Sequence, residues 1–183
     1  MNLDGSADTE VVAGWQWLTH NHAHVDSTGT RAVYTRVHAD TGEYARDTTY
    51  VRDLTTGRER ALEAPHQHSA RWSPDGRQLV GQRHDGTLAL CDAASLRCWT
   101  LVNGTRPVWC PDGGHIYFQR DVTPTSATVW RVDLSTGREE PLGSIGPFHP
   151  LSPSFGIAAD HQIVFTRFRV GRSALWLMDL GGT

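Results

Sequence analysis

The side chains best suited to chemistry are histidines, ten of them in 183 residues. Residues 20–24 read H-N-H-A-H, and because alternate residues of a strand point the same way, His20, His22 and His24 can line one side as three imidazoles. His66 and His68 repeat that spacing around Gln67. Donors of this number and type suit a first-row divalent metal, and an open coordination position on such an ion activates water or a substrate. The plainer reading is that polar loop tips tolerate histidine, since nearness in topology is not convergence in space.

Whatever the histidines do, a scaffold must hold them, and the chain spells one out by repetition. Residues 70–83 read ARWSPDGRQLVGQR, residues 107–120 read PVWCPDGGHIYFQR, and residues 23–36 read AHVDSTGTRAVYTR. A looser copy, PSFGIAADHQIVFTR, occupies 153–167. Each is followed by a second shared phrase: YVRDLTTGRERAL at 50–62, LALCDAASLRCWTL at 88–101, VWRVDLSTGREEPL at 129–142 and LWLMDL at 175–180. The unit is strand, Asp-Gly-type turn, strand, variable loop, strand, Thr-Gly-type turn, strand. Glycine supplies the positive φ of the turns, and the β-branched and aromatic runs suit strands buried on both faces. Four antiparallel strands per unit make a propeller blade, so the expected fold is an all-β propeller with four blades in this chain. The blades span about 22–63, 69–102, 106–143 and 152–183, as one domain over 1–183. No stretch shows a sustained helical period.

This arrangement predicts where side chains meet. Loops leading into first strands lie on the same face, the top, as loops between second and third strands. His20, His22, His24, His66, His68 and His149 approach first strands, and His38 and His84 follow second strands. His115 and His161 fall beside the Asp-Gly-type turns at the opposite face. The second strand ends in arginine in all four units, Arg36, Arg83, Arg120 and Arg167. Around an axis these form a partial ring at the top rim, and guanidinium forks grip carboxylate or phosphate bidentately. The alternative is that each pairs with a local acid such as Asp40, Asp47, Asp85 or Asp121. Asp53, Asp92, Asp133 and Asp179 sit at the other end of the blade and read, with Asp75 and Asp112, as caps for turn amides. The seven tryptophans mostly occupy strand positions and read as packing between blades.

The WSPDG turn, the apolar strand after it and the strand ending in DLxTG resemble the TolB-type propeller repeat over nearly the whole chain. That resemblance implies a fold shared by periplasmic TolB, by propeller domains of prolyl-oligopeptidase-like enzymes and by oligogalacturonate lyases. No GxSxG occurs, so a peptidase relation describes at most an accessory propeller. The lyase resemblance implies a divalent metal held by histidines and a glutamine, a histidine base, and an arginine near the substrate carboxylate. His22, His24, His68 and His149, with Gln67 and Arg83, are the candidates for those roles.

Blades of this family usually come in sixes to eights. Residues 9–19 read like an orphan fourth strand, and the last unit stops after its third, so the expectation is closure of the last blade by 9–19. A four-bladed ring, half of an eight-bladed ring shared with a second copy, and a piece of a longer propeller all fit.

Composition narrows the function classes. A net charge of −3 with pI near 6.3 argues against a general nucleic-acid binder. All seventeen basic residues are arginine. No apolar run approaches the roughly 18 residues of a membrane span, and the start MNLDGSADTE is acidic where a secretory leader would be basic, so the chain as written reads as cytoplasmic. Cys91, Cys98 and Cys110 are few and odd in number. Cys91 and Cys98 flank a hairpin and can face each other, but free thiols are the expectation for a reducing compartment.

Two classes of function follow. One is a module that presents a His- and Arg-rich top face, including His20, His66, Gln67 and His84, to a protein partner or a small anionic ligand. The other is a metal-dependent lyase of acidic saccharides, in which the ion acidifies the proton beside a uronate carboxylate, a neutral His removes it and Arg holds the carboxylate.

Overall fold

A computed structural model describes residues 23–36, 48–63, 67–147, 155–157, 162–169 and 172–179. They form four antiparallel sheets in chain order. The first contains β1 (His24–Val25), β2 (Arg31–Arg36), β3 (Thr48–Asp53) and β4 (Glu59–Ala61). The second contains β5 (Gln67–Trp72), β6 (Gln78–Arg83), β7 (Thr87–Asp92) and β8 (Cys98–Asn103). The third contains β9 (Thr105–Trp109), β10 (His115–Arg120), β11 (Ala127–Asp133) and β12 (Glu139–Ile145). The fourth has three strands, β13 (Phe155–Ile157), β14 (Gln162–Arg169) and β15 (Arg172–Asp179). In each, hydrogen-bonded neighbours follow sequence order, which is the meander of a propeller blade. The expected all-β, four-blade architecture is what the chain forms. Residues 9–19, the expected closing strand, lie outside the described residues. No described helix is long and apolar enough to cross a membrane.

The turns follow the residues that specify them. Asp53 Oδ1 accepts the Thr55 and Thr56 amides, Asp92 Oδ1 that of Ser95, and Asp133 Oδ1 those of Ser135 and Thr136. Gly57 and Gly137 close the first and third of these turns at φ of 73° and 71°. In the second blade Leu96 stands at the same place with φ 62°. Leu96 is buried, so packing against the blade 1–2 core offsets the left-handed backbone.

Among the described residues the core consists of three seams, each between consecutive blades. Val33 and Leu62 of blade 1 pack with Trp72, Leu79, Cys91 and Leu96 of blade 2. Val80, Leu88 and Val102 of blade 2 pack with Trp109, Ile116 and Phe118 of blade 3. Tyr117, Val129 and Ile145 of blade 3 pack with Phe155, Ile163 and Phe165 of blade 4. Trp72 and Trp109 occupy equivalent positions, and each donates its indole N–H to the preceding blade, Trp72 to the His24 carbonyl and Trp109 to the Arg71 carbonyl, both at 3.1 Å. The expectation that these tryptophans pack between blades holds. Among the described tryptophans Trp99 departs from this, 46% exposed on the outer strand β8.

One expectation fails. Cys91 and Cys98 are joined in a disulfide and are not free thiols. They are directly opposed across the β7–β8 ladder with Cα atoms 4.1 Å apart, a register that sequence separation alone does not reveal. Cys110 is outside the disulfide and buried.

Candidate functional site

The top rim is built from the ends of β2, β6 and β10, which finish at Arg36, Arg83 and Arg120. In blade 1 the Arg36 guanidinium turns back over the Tyr50 ring, 4.6 Å from its centroid, and its Nη2 donates to Glu59 Oε2 at 2.7 Å. Tyr34 and Tyr50 are cross-strand neighbours, stacked with centroids 6.0 Å apart, and form the cushion beneath it. Blade 3 repeats the arrangement. Arg120 lies 4.5 Å from the centroid of Trp130, opposite Phe118, and its Nη2 donates to Glu139 Oε2 at 2.6 Å. Arg120 also donates to the Asn103 carbonyl of blade 2.

Electrostatics agree with this geometry. Hydrogen bonding from the Tyr34 phenol, with the Arg52 and Arg36 guanidiniums, holds the Glu59 carboxyl below its ordinary value. Burial and the Glu59 carboxylate push the Tyr34 phenol up to about 12. The group is a charged, aromatic-cushioned pair, in which a guanidinium trades water for a ring face and a carboxylate.

Blade 2 departs from it at every position. Gly81 and Ala89, paired across β6 and β7, stand where blades 1 and 3 place their aromatic pairs. Cys98 stands where they place Glu59 and Glu139, and it is tied to Cys91. Arg83 therefore has neither the aromatic cushion nor the fourth-strand glutamate, and the acid it meets is Asp85 of the following turn, whose carboxyl is held below its ordinary value by the Thr87 hydrogen bonds and, in smaller part, by the Arg83 charge. Its Nη1 donates to the Thr100 hydroxyl at 2.6 Å, and its Nε is buried without a hydrogen-bond partner among the described residues. The acids that do neutralise Arg36 and Arg120 are fourth-strand glutamates, whereas the sequence pointed to loop aspartates.

Around Arg83 the top face gathers further polar groups. In the β5–β6 ladder Gln67 pairs with Arg83 and His68 with Gln82. His84 is exposed in the turn that follows, where Asp85 accepts the Thr87 amide and hydroxyl. The Gln82 side-chain oxygen accepts the Arg106 amide at 3.0 Å, which ties the exposed Arg106, φ 55°, to the same corner. Arg106 escapes sequence reasoning because it lies outside the repeated phrase.

The histidines separate. His24 is half-buried, and its Nδ1 faces the Trp72 amide at 3.2 Å. Burial, with the charge of Arg71, holds its pKa below the ordinary imidazole value. His24 thus has one nitrogen engaged in joining blades 1 and 2. Arg167 pairs with Ala174 in the β14–β15 ladder. His20, His22, His66 and His149 lie outside the described residues, as do His38 and His161.

No family model matches the chain, and no curated protein sequence matches it. Solved structures do. TolB from Acinetobacter baumannii superposes with a TM-score of 0.65 at 18% identity, over 86% of this chain and 40% of that one. An oligogalacturonate lyase in complex with manganese gives 0.65 at 14% identity, over 86% and 50%. The β-propeller domain of the Trilobed protease from Pyrococcus furiosus, described as an open velcro topology, gives 0.58 at 14% identity, over 90% and 56%. The chain spans about two-fifths to just over half the length of these three. In fold, this chain is four blades of a TolB-like β-propeller.

Proposed function

We propose that the chain is a binding module whose top face takes an anionic ligand, a carboxylate or a phosphate, at Arg83 of blade 2. The observation that carries this is the contrast among three equivalent arginines. Arg36 and Arg120 are each hydrogen-bonded to a glutamate, Glu59 and Glu139, while among the described residues Arg83 hydrogen-bonds a neutral hydroxyl and meets the Asp85 carboxylate only through space. With Nη1 on Thr100 and Nε buried, Nη2 is the donor this guanidinium keeps for a ligand, and its charge attracts an anion. Gln67, His68, His84 and Arg106 surround it along the backbone, and His20, His22, His66, His149 and Arg167 remain candidates for the same face. The ligand is a free anion or the acidic side chain of a protein partner.

Titration calorimetry of the chain with inorganic phosphate and with galacturonate tests this reading. Binding of either should fall at least roughly tenfold in Arg83→Gln and stay within about twofold in Arg36→Gln. Equal losses in both variants, or no binding at all, would overturn it.

The metal-dependent lyase is the second reading, supported by likeness to an oligogalacturonate lyase solved with manganese. His22, His24, His68 and His149 would hold the ion, with His24 limited to its Nε2 by the Trp72 contact. Native mass spectrometry reports bound manganese and subunit number together. Loss of the ion in His22→Ala and His68→Ala supports this reading, and a metal-free chain after incubation with manganese excludes it. A dimer in the same spectrum supports a ring shared between two copies. The Cys91–Cys98 disulfide favours an oxidising compartment over the cytoplasm.

A further inference from the structure

The turn at the start of β10 differs from its counterparts in a correlated way. Blade 1 places Asp26 and Arg31 at its ends, joined at 2.9 Å as an ion pair. Blade 2 places Ser73 and Gln78 there, and the Gln78 amide donates to Ser73 Oγ at 3.0 Å. Blade 3 places Cys110 and His115 at the same two positions, with Asp112 between them where blade 2 has Asp75. The Cys110 sulfur, an Asp112 carboxylate oxygen and a His115 ring nitrogen all lie within 4.8 Å of one another. This corner belongs to the opposite end of the blade from Arg83, and it is independent of the anion site.

We propose that Cys110, Asp112 and His115 form a site for a zinc-like divalent cation, with water as the fourth ligand. Thiolate, imidazole and carboxylate are the donors that zinc takes in tetrahedral sites. With metal–N and metal–O bonds of about 2.0 Å, two tetrahedral ligands lie about 3.3 Å apart. His115 Nδ1 and Asp112 Oδ2 are already 3.2 Å apart. Asp112 Oδ1 is held by the Gly114 amide at 2.7 Å, which leaves Oδ2 to face the ion. The other ring nitrogen, Nε2, lies 3.6 Å from Asp133 Oδ2. A carboxylate that accepts the second N–H of a ligating histidine fixes its tautomer and orientation, and Asp133, just beyond hydrogen-bond reach here, would become such a positioning residue once the ring closes that gap on binding the ion. Asp112 is exposed and His115 half-buried, so the ion approaches from solvent while the buried Cys110 sulfur supplies the inner ligand. On binding, the sulfur–metal bond forms and the thiol proton passes to solvent.

Cobalt(II) is the probe, because a thiolate–cobalt bond gives a charge-transfer absorption that nitrogen and oxygen ligands do not. Cys91 and Cys98 are bonded to each other, so Cys110 is the one thiol able to produce it. Cobalt added to the chain should produce this band, and zinc should abolish it by displacement. Cys110→Ser and His115→Gln copy the residues blade 2 uses, so both variants should fold, which circular dichroism checks. The band should vanish in Cys110→Ser, and affinity should fall at least tenfold in His115→Gln and about tenfold in Asp133→Asn. Absence of the band, or cobalt binding without it that is unchanged in both turn variants, would overturn the proposal and leave cobalt to the histidines of 20–24 and 66–68.

Discussion

Cys98 is bonded to Cys91 directly across the β7–β8 ladder, at the position where the two neighbouring blades carry Glu59 and Glu139. In blade 1 the same cross-strand pair is Arg52 and Glu59, an ion pair with 2.5 Å between Nη1 and Oε1. One structural position thus holds an ion pair in one blade and a disulfide in the next, and the exchange takes from Arg83 the carboxylate that its counterparts have.

That exchange can be reversed. Cys91→Val with Cys98→Glu gives blade 2 the pair that blade 3 has in Val132 and Glu139. The new glutamate should engage Arg83, and phosphate affinity measured by calorimetry should drop at least roughly fivefold. Unchanged affinity would mean that Arg83 is not where the anion binds.

The disulfide itself has a calculable effect. Its ends are seven positions apart, and closing so short a loop in the unfolded chain is worth about 2.5 kcal/mol in the chain-entropy model. Cys91→Ala with Cys98→Ala should therefore lower the melting temperature by roughly 5–10 °C, since about 1 kcal/mol shifts a domain of this size by about 2–4 °C. Scanning calorimetry with and without reductant checks this, and reductant should move the wild-type chain alone.

Leu96 sets two effects against each other. Its left-handed backbone costs about 1–2 kcal/mol relative to glycine, whereas removing a buried leucine costs about 2–5 kcal/mol. Leu96→Gly should then destabilise by about 1–3 kcal/mol in urea unfolding. A stabilised variant would show that backbone strain outweighs packing at this turn.

Asp26 makes an acid-sensitive contact. Although burial opposes ionisation, hydrogen bonds from Arg31, Thr28 and Thr30 hold its carboxyl below the usual 3.8. The folded state then binds protons less readily than the unfolded one. The contribution is fully present above about pH 4 and is lost as pH falls through the lowered folded-state value. Asp26→Asn should cost roughly 1.5–3 kcal/mol at pH 7 and flatten the acid limb of a stability profile measured by urea unfolding from pH 7 to pH 3.

Much of the blade was legible because repetition fixes local chemistry. The Asp53, Asp92 and Asp133 caps, the turn glycines and the interblade packing of Trp72 and Trp109 follow from residues close in sequence. The partners of the rim arginines were not legible. Arg36 reaches Glu59 by folding back across two strands, a path that depends on ring faces and not on sequence distance. Once blades 1 and 3 reveal the quartet, its loss in blade 2 can be read from Gly81, Ala89 and Cys98 alone.

The sequence by itself determined the blade count, the strand order and the turn chemistry, because a repeated phrase counts the units and its apolar runs and turn residues act over a few positions. Only the tertiary structure decided which side chains are neutralised, that Cys91 meets Cys98, that His24 faces Trp72, and that Cys110, Asp112 and His115 share one corner. Those outcomes depend on register and on the packing of one blade against the next, and both are settled when the apolar faces of neighbouring sheets are buried together.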